Sequence, residues 1–381
     1  MTDTEACLAL NMIPGLGPVR LQALLEVFET PQRVLTAGRN ALRAVQGIGA
    51  ETADALANWE KHVDLASEIA RIEAFGAKVV HWDSPEYPEM LRTIPNPPIV
   101  LYVWGDLRAE DTQAIGVVGS RSVTHYGVET AKKLSYQLAF SGYTVISGLA
   151  RGIDTAAHQG ALAAKGRTIA VIGSGLSKLY PPENQGLAER ITGSGAVVSE
   201  YPMERPADRQ TFPYRNRIVA GWSRGLLVVE AGLNSGALIT ANQAIEQGRP
   251  VYAVPGPIDR PTSAGSNRLI QQGARLVMSA DDIFDDLGSL FPGEQKRLSK
   301  APAHEPATLA ATKTSPSPAK LSQEETLLVT ALEVGELSLD ELSAATRLPT
   351  YKVSSTLTML ELKRLVRALP GQRFARRGAE T

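Results

Sequence analysis

The chain reads as an α/β protein: a doubly wound, mostly parallel sheet with a helical segment before it and a winged-helix pattern after it. Three observations point there. Short apolar, β-rich runs alternate with helical patterns from Gln113 to about Leu290, the signature of a parallel sheet covered on both faces. Several runs break at a glycine and restart as a helix, most clearly where Tyr143-Thr144-Val145-Ile146 leads into SGLARGIDTAAHQG at Ser147–Gly160. An aperiodic stretch rich in Ala, Pro, Ser and Lys at 293–320 then separates the alternating region from a helical tail, as a flexible linker does.

Composition narrows the functional classes. The 381 residues, 43% hydrophobic and 21% charged, suit a soluble protein of about two to three domains. A formal net charge of -1 leaves no global basic field, so any anion site must be local. The single cysteine, Cys7, excludes an internal disulfide and fits a reducing compartment, and by itself it reads as a small core residue. The N-terminus has no basic region followed by an apolar core, and no apolar run approaches the ~18 residues that cross a bilayer. A cytoplasmic protein without membrane association is expected. The five histidines do not cluster with carboxylates at ligand spacing, so no metal is expected.

Residues 1–75 read as short helices carrying two Gly-hydrophobic-Gly hairpins, Gly15-Leu16-Gly17 and Gly47-Ile48-Gly49. Apolar positions follow each: Leu21, Leu24, Leu25 and Phe28 after the first, and Ala53, Leu56 and Trp59 after the second. Such hairpins place backbone N–H groups at helix N-termini, which suits phosphate. The pair resembles a tandem helix-hairpin-helix unit; the alternative is a helical scaffold with tight turns, and nearby basic residues are few (Arg20, Arg43). Residues 77–112 look extended and proline-rich, and Ile99–Trp104 reads as an edge strand.

Residues 76–292 form the core. Its strands are expected at Ala114–Val118, Tyr143–Ser147, Thr168–Ile172, Ala196–Ser199, Leu226–Val229, Val251–Val254 and Arg275–Val277, with right-handed crossovers. In residues 321–381, Ser338 and Glu341 have capping-box spacing ahead of a helix to Leu348. A second helix carries Lys352 among Ser, Thr and Leu, and Gln372–Arg377 reads as a basic hairpin tip. Protein contact fits this module as well as DNA contact does.

The sheet's carboxyl edge is where ligands bind in such folds. There Gly119, Ser120 and Arg121 end the first core strand beside a helix start, with small residues for backbone approach and a fork for an anion. The alternative for Arg121 is a structural pair with Asp154 or Glu230. Arg151 and Asp154 carry the charge of the next turn. Gly173-Ser174-Gly175-Leu176-Ser177-Lys178 has two glycines of a dinucleotide fingerprint, but Lys178 replaces the third and the loop follows the third core strand. No NAD, FAD or other cofactor is therefore expected.

In Phe212-Pro213-Tyr214-Arg215-Asn216-Arg217, the two arginines lie about 200° apart on a helix. One touches an anion and one braces the fold. Phe212 and Tyr214 stack on bases or pack the core. Ser235 and Gly236 open a helix, another phosphate-ready N-terminus. Pro255-Gly256-Pro257 and Gly265-Ser266-Asn267 add a further loop at this edge. Donors and arginines converge with no general acid–base pair, which favours binding over chemistry.

Assembled in order, these motifs resemble the DNA-processing protein A (DprA/Smf) family. The residues that match are GSR at Gly119–Arg121, SGLARGIDTAAH at Ser147–His158, YPPEN at Tyr180–Asn184, SEYP at Ser199–Pro202, FPYRNRIVAG at Phe212–Gly221, VVEAGLNSGALIT at Val228–Thr240, AVPG at Ala253–Gly256 and GSNRLIQQGA at Gly265–Ala274. The resemblance implies an extended Rossmann-like core that binds single-stranded DNA, dimerises, protects incoming DNA in natural transformation and loads a RecA-type recombinase. Such proteins are not known as enzymes. It also implies DNA contact by Arg121 and by the Phe212/Arg215 segment, so the expected DNA-binding set is Gly119, Ser120, Arg121, Arg151, Lys178, Phe212, Arg215, Asn216, Arg217, Ser235 and Gly236. The position after Tyr180-Pro181-Pro182 is often basic in relatives but is Glu183 here, leaving Lys178 as the nearby cation.

Two other readings fit the sequence. Rossmann-like phosphoribohydrolases carry a PGGxGTxxE loop where this chain has Gly232–Thr240; Thr240 stands in place of the glutamate, and no Gly-Gly pair precedes it. A protein-interaction adaptor without DNA affinity is the other.

Overall fold

The computed structural model describes residues 1–290 and, near the C-terminus, 323–332, 337–346, 348–350, 352–353, 356–357, 360, 365–369 and 373–376. The linker expected at 293–320 lies outside these residues. Two compact units are formed, Met1–Ala303 and His304–Thr381.

The first unit begins with helices α1 (Asp3–Met12), α2 (Pro18–Phe28), α3 (Pro31–Thr36), α4 (Arg39–Arg43), α5 (Ala50–Ala57) and α6 (Leu65–Phe75). The hairpins between α1 and α2, and between α4 and α5, turn at Gly15 (φ 74°) and Gly47 (φ 85°), backbone angles that a side chain disfavours. Both expected hairpins are thus present, and α2 and α5 start at Gly17 and Gly49 without a side-chain cap. Arg20 Nη1 donates to the Gly15 carbonyl (2.6 Å) and to Thr52 Oγ1 (3.4 Å), tying the hairpins together. That guanidinium is committed to the scaffold.

These helices share a core with the sheet. Leu10, Leu21, Leu24 and Leu56 belong to the same buried cluster as Val100, Tyr102, Ala170 and Val197. Buried Glu68 accepts from the Met203 N–H at 2.7 Å, and Asn11 Nδ2 donates to the Glu200 carbonyl at 3.0 Å. The segment before residue 75 is therefore packed into the same body as the core.

Nine strands form the sheet: β1 (Lys78–His81), β2 (Val100–Gly105), β3 (Ala114–Val118), β4 (Thr144–Ser147), β5 (Thr168–Val171), β6 (Ala196–Ser199), β7 (Gly225–Val228), β8 (Val251–Ala253) and β9 (Arg275–Leu276). Their order is β1-β2-β6-β5-β4-β3-β7-β8-β9. Neighbours from β6 to β9 run parallel, whereas β2 is antiparallel to both β1 and β6.

The expected edge strand is corrected here: β2 lies inside the sheet, and β1 is the edge. Pro97 and Pro98 precede β2, so they remove no ladder donor from it.

Side chains alternate between two layers. After the short α7 (Glu89–Arg92) come α8 (His125–Phe140) and α9 (Ile153–Ala163), which Ile115, Val117 and Leu227 face. Ala114, Val118, Leu226 and Val228 face α11 (Thr211–Trp222) and α12 (Gly236–Glu246), which follow α10 (Gln185–Thr192) in the chain. From β3 the chain winds through β4, β5 and β6 to one side. It then returns to β7 on β3's other flank and continues to β8 and β9. Connections thus diverge between β3 and β7, which opens a crevice outside their carboxyl ends.

In the second unit, helices span Gln323–Ala331 and Leu339–Thr346 beside a small sheet ordered β10 (Leu337–Ser338), β12 (Arg373–Arg376), β11 (Val366–Leu369). The expected capping box forms: Ser338 N–H donates to Glu341 Oε2 (2.7 Å), and Glu341 N–H to Ser338 Oγ (3.3 Å). The basic run expected at a hairpin tip is corrected: residues 373–376 lie in β12, antiparallel to β11. Phe374 packs on the unit's core, and that period-two anchor draws the run into the sheet.

Candidate nucleic-acid interface

A cleft of about 960 Å³ lies at the β3/β7 divergence. Its walls come from the turns after β3, β4 and β7 and from the start of α11.

The turn after β3 is held by its own serines. Ser120 N–H donates to the Glu230 carbonyl (2.6 Å), Ser120 Oγ donates to the Ser122 carbonyl (2.6 Å), and Ser122 N–H donates back to Ser120 Oγ (3.1 Å). Arg121 is left exposed at the tip, its guanidinium 4.7 Å from the Phe212 ring centroid. The alternative structural pairs are not made, because both carboxylates are engaged elsewhere. Asp154 Oδ2 accepts from Gly148 N–H (3.1 Å) and Ala150 N–H (3.3 Å). Glu230 Oε2 accepts from Thr124 N–H and Oγ1, both at 3.1 Å.

Beneath the cleft floor lies Arg215. It is buried and donates to the carbonyls of Gly148 (2.7 Å) and Val171, while its Nε donates to Asn216 Oδ1 (3.2 Å). Burial pushes its guanidinium down to about 10, with Asp154 opposing and Arg121 reinforcing the shift, so the proton stays on at neutral pH. Burial likewise pushes the Asp154 carboxyl up, against the pull of Arg215. The two charged groups converge over Gly148. A Cβ there would sit 2.4 Å from Arg215 Nη2 and 2.7 Å from Asp154 Oδ2, so only glycine fits.

The start of α11 carries the aromatic wall. Asp208 Oδ1 accepts from Gln210 N–H (2.7 Å) and Thr211 N–H (2.9 Å), which fixes the helix start and holds the Asp208 carboxyl below the usual range. Phe212 and Asn216, four residues apart, face the cleft with Arg215.

Arg217 lies on the other side of α11, outside the cleft lining. It is 5% exposed and pairs with Glu200 through two bonds of 2.9 and 2.6 Å, with its guanidinium 4.1 Å from the Tyr214 ring. The helical spacing separates the two arginines as expected, but both are buried, and Arg217 is the brace.

The opposite wall is the start of α12. Ser235 caps it, its Oγ accepting from Ala237 N–H at 3.3 Å, and a Cβ on Gly236 would meet nothing within 4 Å. Backbone donors and a positive helix end therefore face the cleft. The loop at 256–267 supports this wall: Asn267 bonds both the N–H (3.1 Å) and the carbonyl (2.9 Å) of Gly256.

Two expected contacts lie off the cleft. Lys178 is exposed in the short 3-10 turn Leu176–Lys178. Arg151 pairs with Glu183 and rests 5.8 Å from the Tyr180 ring, and its guanidinium holds the Glu183 carboxyl below the usual range. The fingerprint-like loop is packed rather than open. A Cβ on Gly175 would lie 2.1 Å from the Pro202 carbonyl, and one on Gly173 would lie 3.1 Å from Phe212.

Sequence reasoning missed Arg209, Tyr180, Leu233 and Ile239, all of which line the cleft. Arg209 stands three residues before Phe212, the one signal that could have flagged it. Among the cleft-lining residues three are arginines, Arg121, Arg209 and Arg215, and Asp154 is the single carboxylate. The interface has positive ends, a ring and backbone donors, and its lone carboxylate is already bonded. It can hold a polyanion with a planar substituent.

The histidine of the Ser147–Gly160 turn is structural. His158 is buried; Thr168 Oγ1 donates to the Val145 carbonyl (2.7 Å), so His158 Nδ1 is the donor to Thr168 Oγ1 (2.7 Å). Burial, with the Arg215 charge, pushes its pKa down to about 3. Its imidazole is expected to stay neutral at pH 5, where an unperturbed histidine is mostly charged. Ring ¹⁵N shifts for His158 titrating near the ordinary value would contradict that.

Three family models match the chain. One described as DNA recombination-mediator protein A covers residues 78–288, one described as a DprA winged helix domain covers 312–372, and one described as a SAM-like helix-hairpin-helix tandem covers 8–58. Among curated proteins the chain is similar to Protein Smf of Synechocystis sp., 34% identical over 97% of this chain and 98% of that protein. Among solved structures it is similar to DNA processing protein A from Streptococcus pneumoniae: 34% identity, TM-score 0.67, covering 75% of this chain and 98% of that one. It is also similar to DNA processing protein A from Helicobacter pylori, a structure described for its single-stranded DNA binding mode: 27% identity, TM-score 0.50, covering 56% of this chain and 96% of that one. No described helix is long and apolar enough to cross a membrane.

Proposed function

Because the chain belongs to the DprA/Smf family of DNA recombination-mediator proteins, we propose that its cleft binds single-stranded DNA. In this reading the protein shields incoming DNA in natural transformation and passes it to a RecA-type recombinase. The observation that carries the reading is the pairing of the Arg121 guanidinium with the Phe212 ring at the cleft mouth. One supplies a phosphate contact and the other a base platform, which is how sequence-tolerant single-strand binders work.

Arg121 and Arg209 take phosphates, the open N–H groups at the start of α12 take another, and Phe212 stacks a base. Arg215 acts beneath them, holding Gly148 and the strand ends in place. Asp154, the cleft's carboxylate, is spent on two N–H groups. The site is therefore read as binding rather than catalytic. Dimerisation through the core brings two clefts to one strand and raises effective concentration. The recombinase docks on another surface, in the cytoplasm where the strand arrives.

Fluorescence anisotropy with a labelled poly-dT oligonucleotide tests this. Binding is expected to weaken with salt, each phosphate contact adding about 0.7 to the log–log slope. Duplex DNA and AMP are expected to compete poorly. Displacement by AMP, or no binding to the oligonucleotide, would refute the reading, and release of free base from a nucleotide would establish an enzyme in its place.

A further inference from the structure

Four side chains form a row that starts in the cleft and leaves it. The Arg121 guanidinium is 4.7 Å from the Phe212 centroid, Phe212 is 5.7 Å from the Tyr180 centroid, and the Arg151 guanidinium is 5.8 Å from Tyr180. The order is cation, ring, ring, cation. Arg121, Phe212 and Tyr180 line the cleft, and Arg151 lies just beyond its lip. A single strand alternates bases and phosphates, so a strand passing Phe212 meets a second ring and then a second cation.

The outer cation is already occupied. Arg151 Nε donates to Glu183 Oε1, and its Nη1 reaches the Tyr180 hydroxyl at 3.5 Å. The backbone holds the two partners face to face. Asn184, next to Glu183, donates to the Leu149 carbonyl (2.8 Å) and to Thr155 Oγ1 (2.9 Å). Leu149, two residues before Arg151, has φ 57°, a conformation that persists in a non-glycine residue only where the surroundings enforce it. The side chains themselves are about half exposed, 54% for Arg151 and 50% for Glu183. An ion pair in that setting is weak, and a phosphodiester can accept the same guanidinium fork.

We propose that Arg151 and the Tyr180 ring form a second nucleotide subsite, and that Glu183 is its resident occupant, which an arriving phosphodiester must displace. The proposal rests on the single-strand reading of the cleft. Its physical consequence is specific. Exchanging one carboxylate for one phosphate frees a DNA counterion but leaves Glu183 to recruit another, so this contact is silent in the salt dependence. Removing the Glu183 charge makes it visible.

The test is poly-dT anisotropy against salt for the full-length protein and for Glu183→Gln, Arg151→Ala, the double variant and Arg121→Ala. Glu183→Gln is expected to tighten binding about two- to fivefold at low salt and to steepen the log–log slope by about 0.7. Arg151→Ala alone is expected to change affinity less than about twofold, and in the Glu183→Gln background to cancel the gain. A Glu183→Gln variant with unchanged slope overturns the proposal. So does a gain that survives Arg151→Ala, which would mean simple repulsion by Glu183, or a large loss on Arg151→Ala alone, which would mean that Arg151 is already engaged. In each of these cases Arg121→Ala still weakens binding about 10- to 100-fold and the cleft reading stands. A wild-type protein that does not bind the oligonucleotide removes both.

Discussion

Arg215→Ala is expected to destabilise the first unit by about 3–5 kcal/mol, the cost of leaving a buried charge without its partner. The guanidinium is the shared donor for the Gly148 and Val171 carbonyls, at the ends of β4 and β5. It also offsets the charge of Asp154, which is itself buried. Truncation leaves the carbonyls unpaired, strands the carboxylate and opens a cavity at the sheet edge. A fall in melting midpoint of about 5–8 °C follows for a unit of this size. Arg215→Lys keeps the charge but lacks the fork, and should fall between the two. A normal midpoint combined with lost DNA binding would show Arg215 to be a ligand contact rather than a brace.

Arg121→Ala is expected to do the reverse: oligonucleotide affinity falls about 10- to 100-fold, as for loss of a charged hydrogen bond. Stability should stay within about 0.5 kcal/mol, as for an exposed side chain away from any brace. Its one described contact is the exposed face of Phe212, and the serine bonds that shape the turn do not involve its side chain. Equilibrium melts and anisotropy on the same preparations separate the two arginines. A melting midpoint that drops with binding intact would assign Arg121 to the scaffold.

The strands, the turns after them and the two glycine hairpins were legible because each is a local pattern. Short apolar runs, three of them ending at Gly119, Gly148 and Gly173, mark parallel strands, and all seven core strands appear within a residue or two of their expected bounds. The N-terminal strand β1 was not legible, since Lys78–His81 is short and follows a helix directly. Arg209 was missed as well, because only its spacing three residues before Phe212 sets it apart from any polar loop.

Helical spacing alone established that Arg215 and Arg217 point to opposite sides. Which side opens onto a cleft depends on Glu200, at the end of β6, and on Gly148, after β4, contacts separated by 17 and 67 positions. Likewise the chain order announces βα turns, but only the return of β7 to the flank of β3 brings Arg121, Phe212 and Ser235 around one crevice. Local sequence sets backbone conformation and which face of an element is apolar, because those depend on near neighbours. Which charges are neutralised and which stay available is decided by long-range packing. Burial and a fixed partner consume Arg217, an exposed partner occupies Arg151, and the absence of a carboxylate partner among the described residues leaves Arg121 open to a ligand.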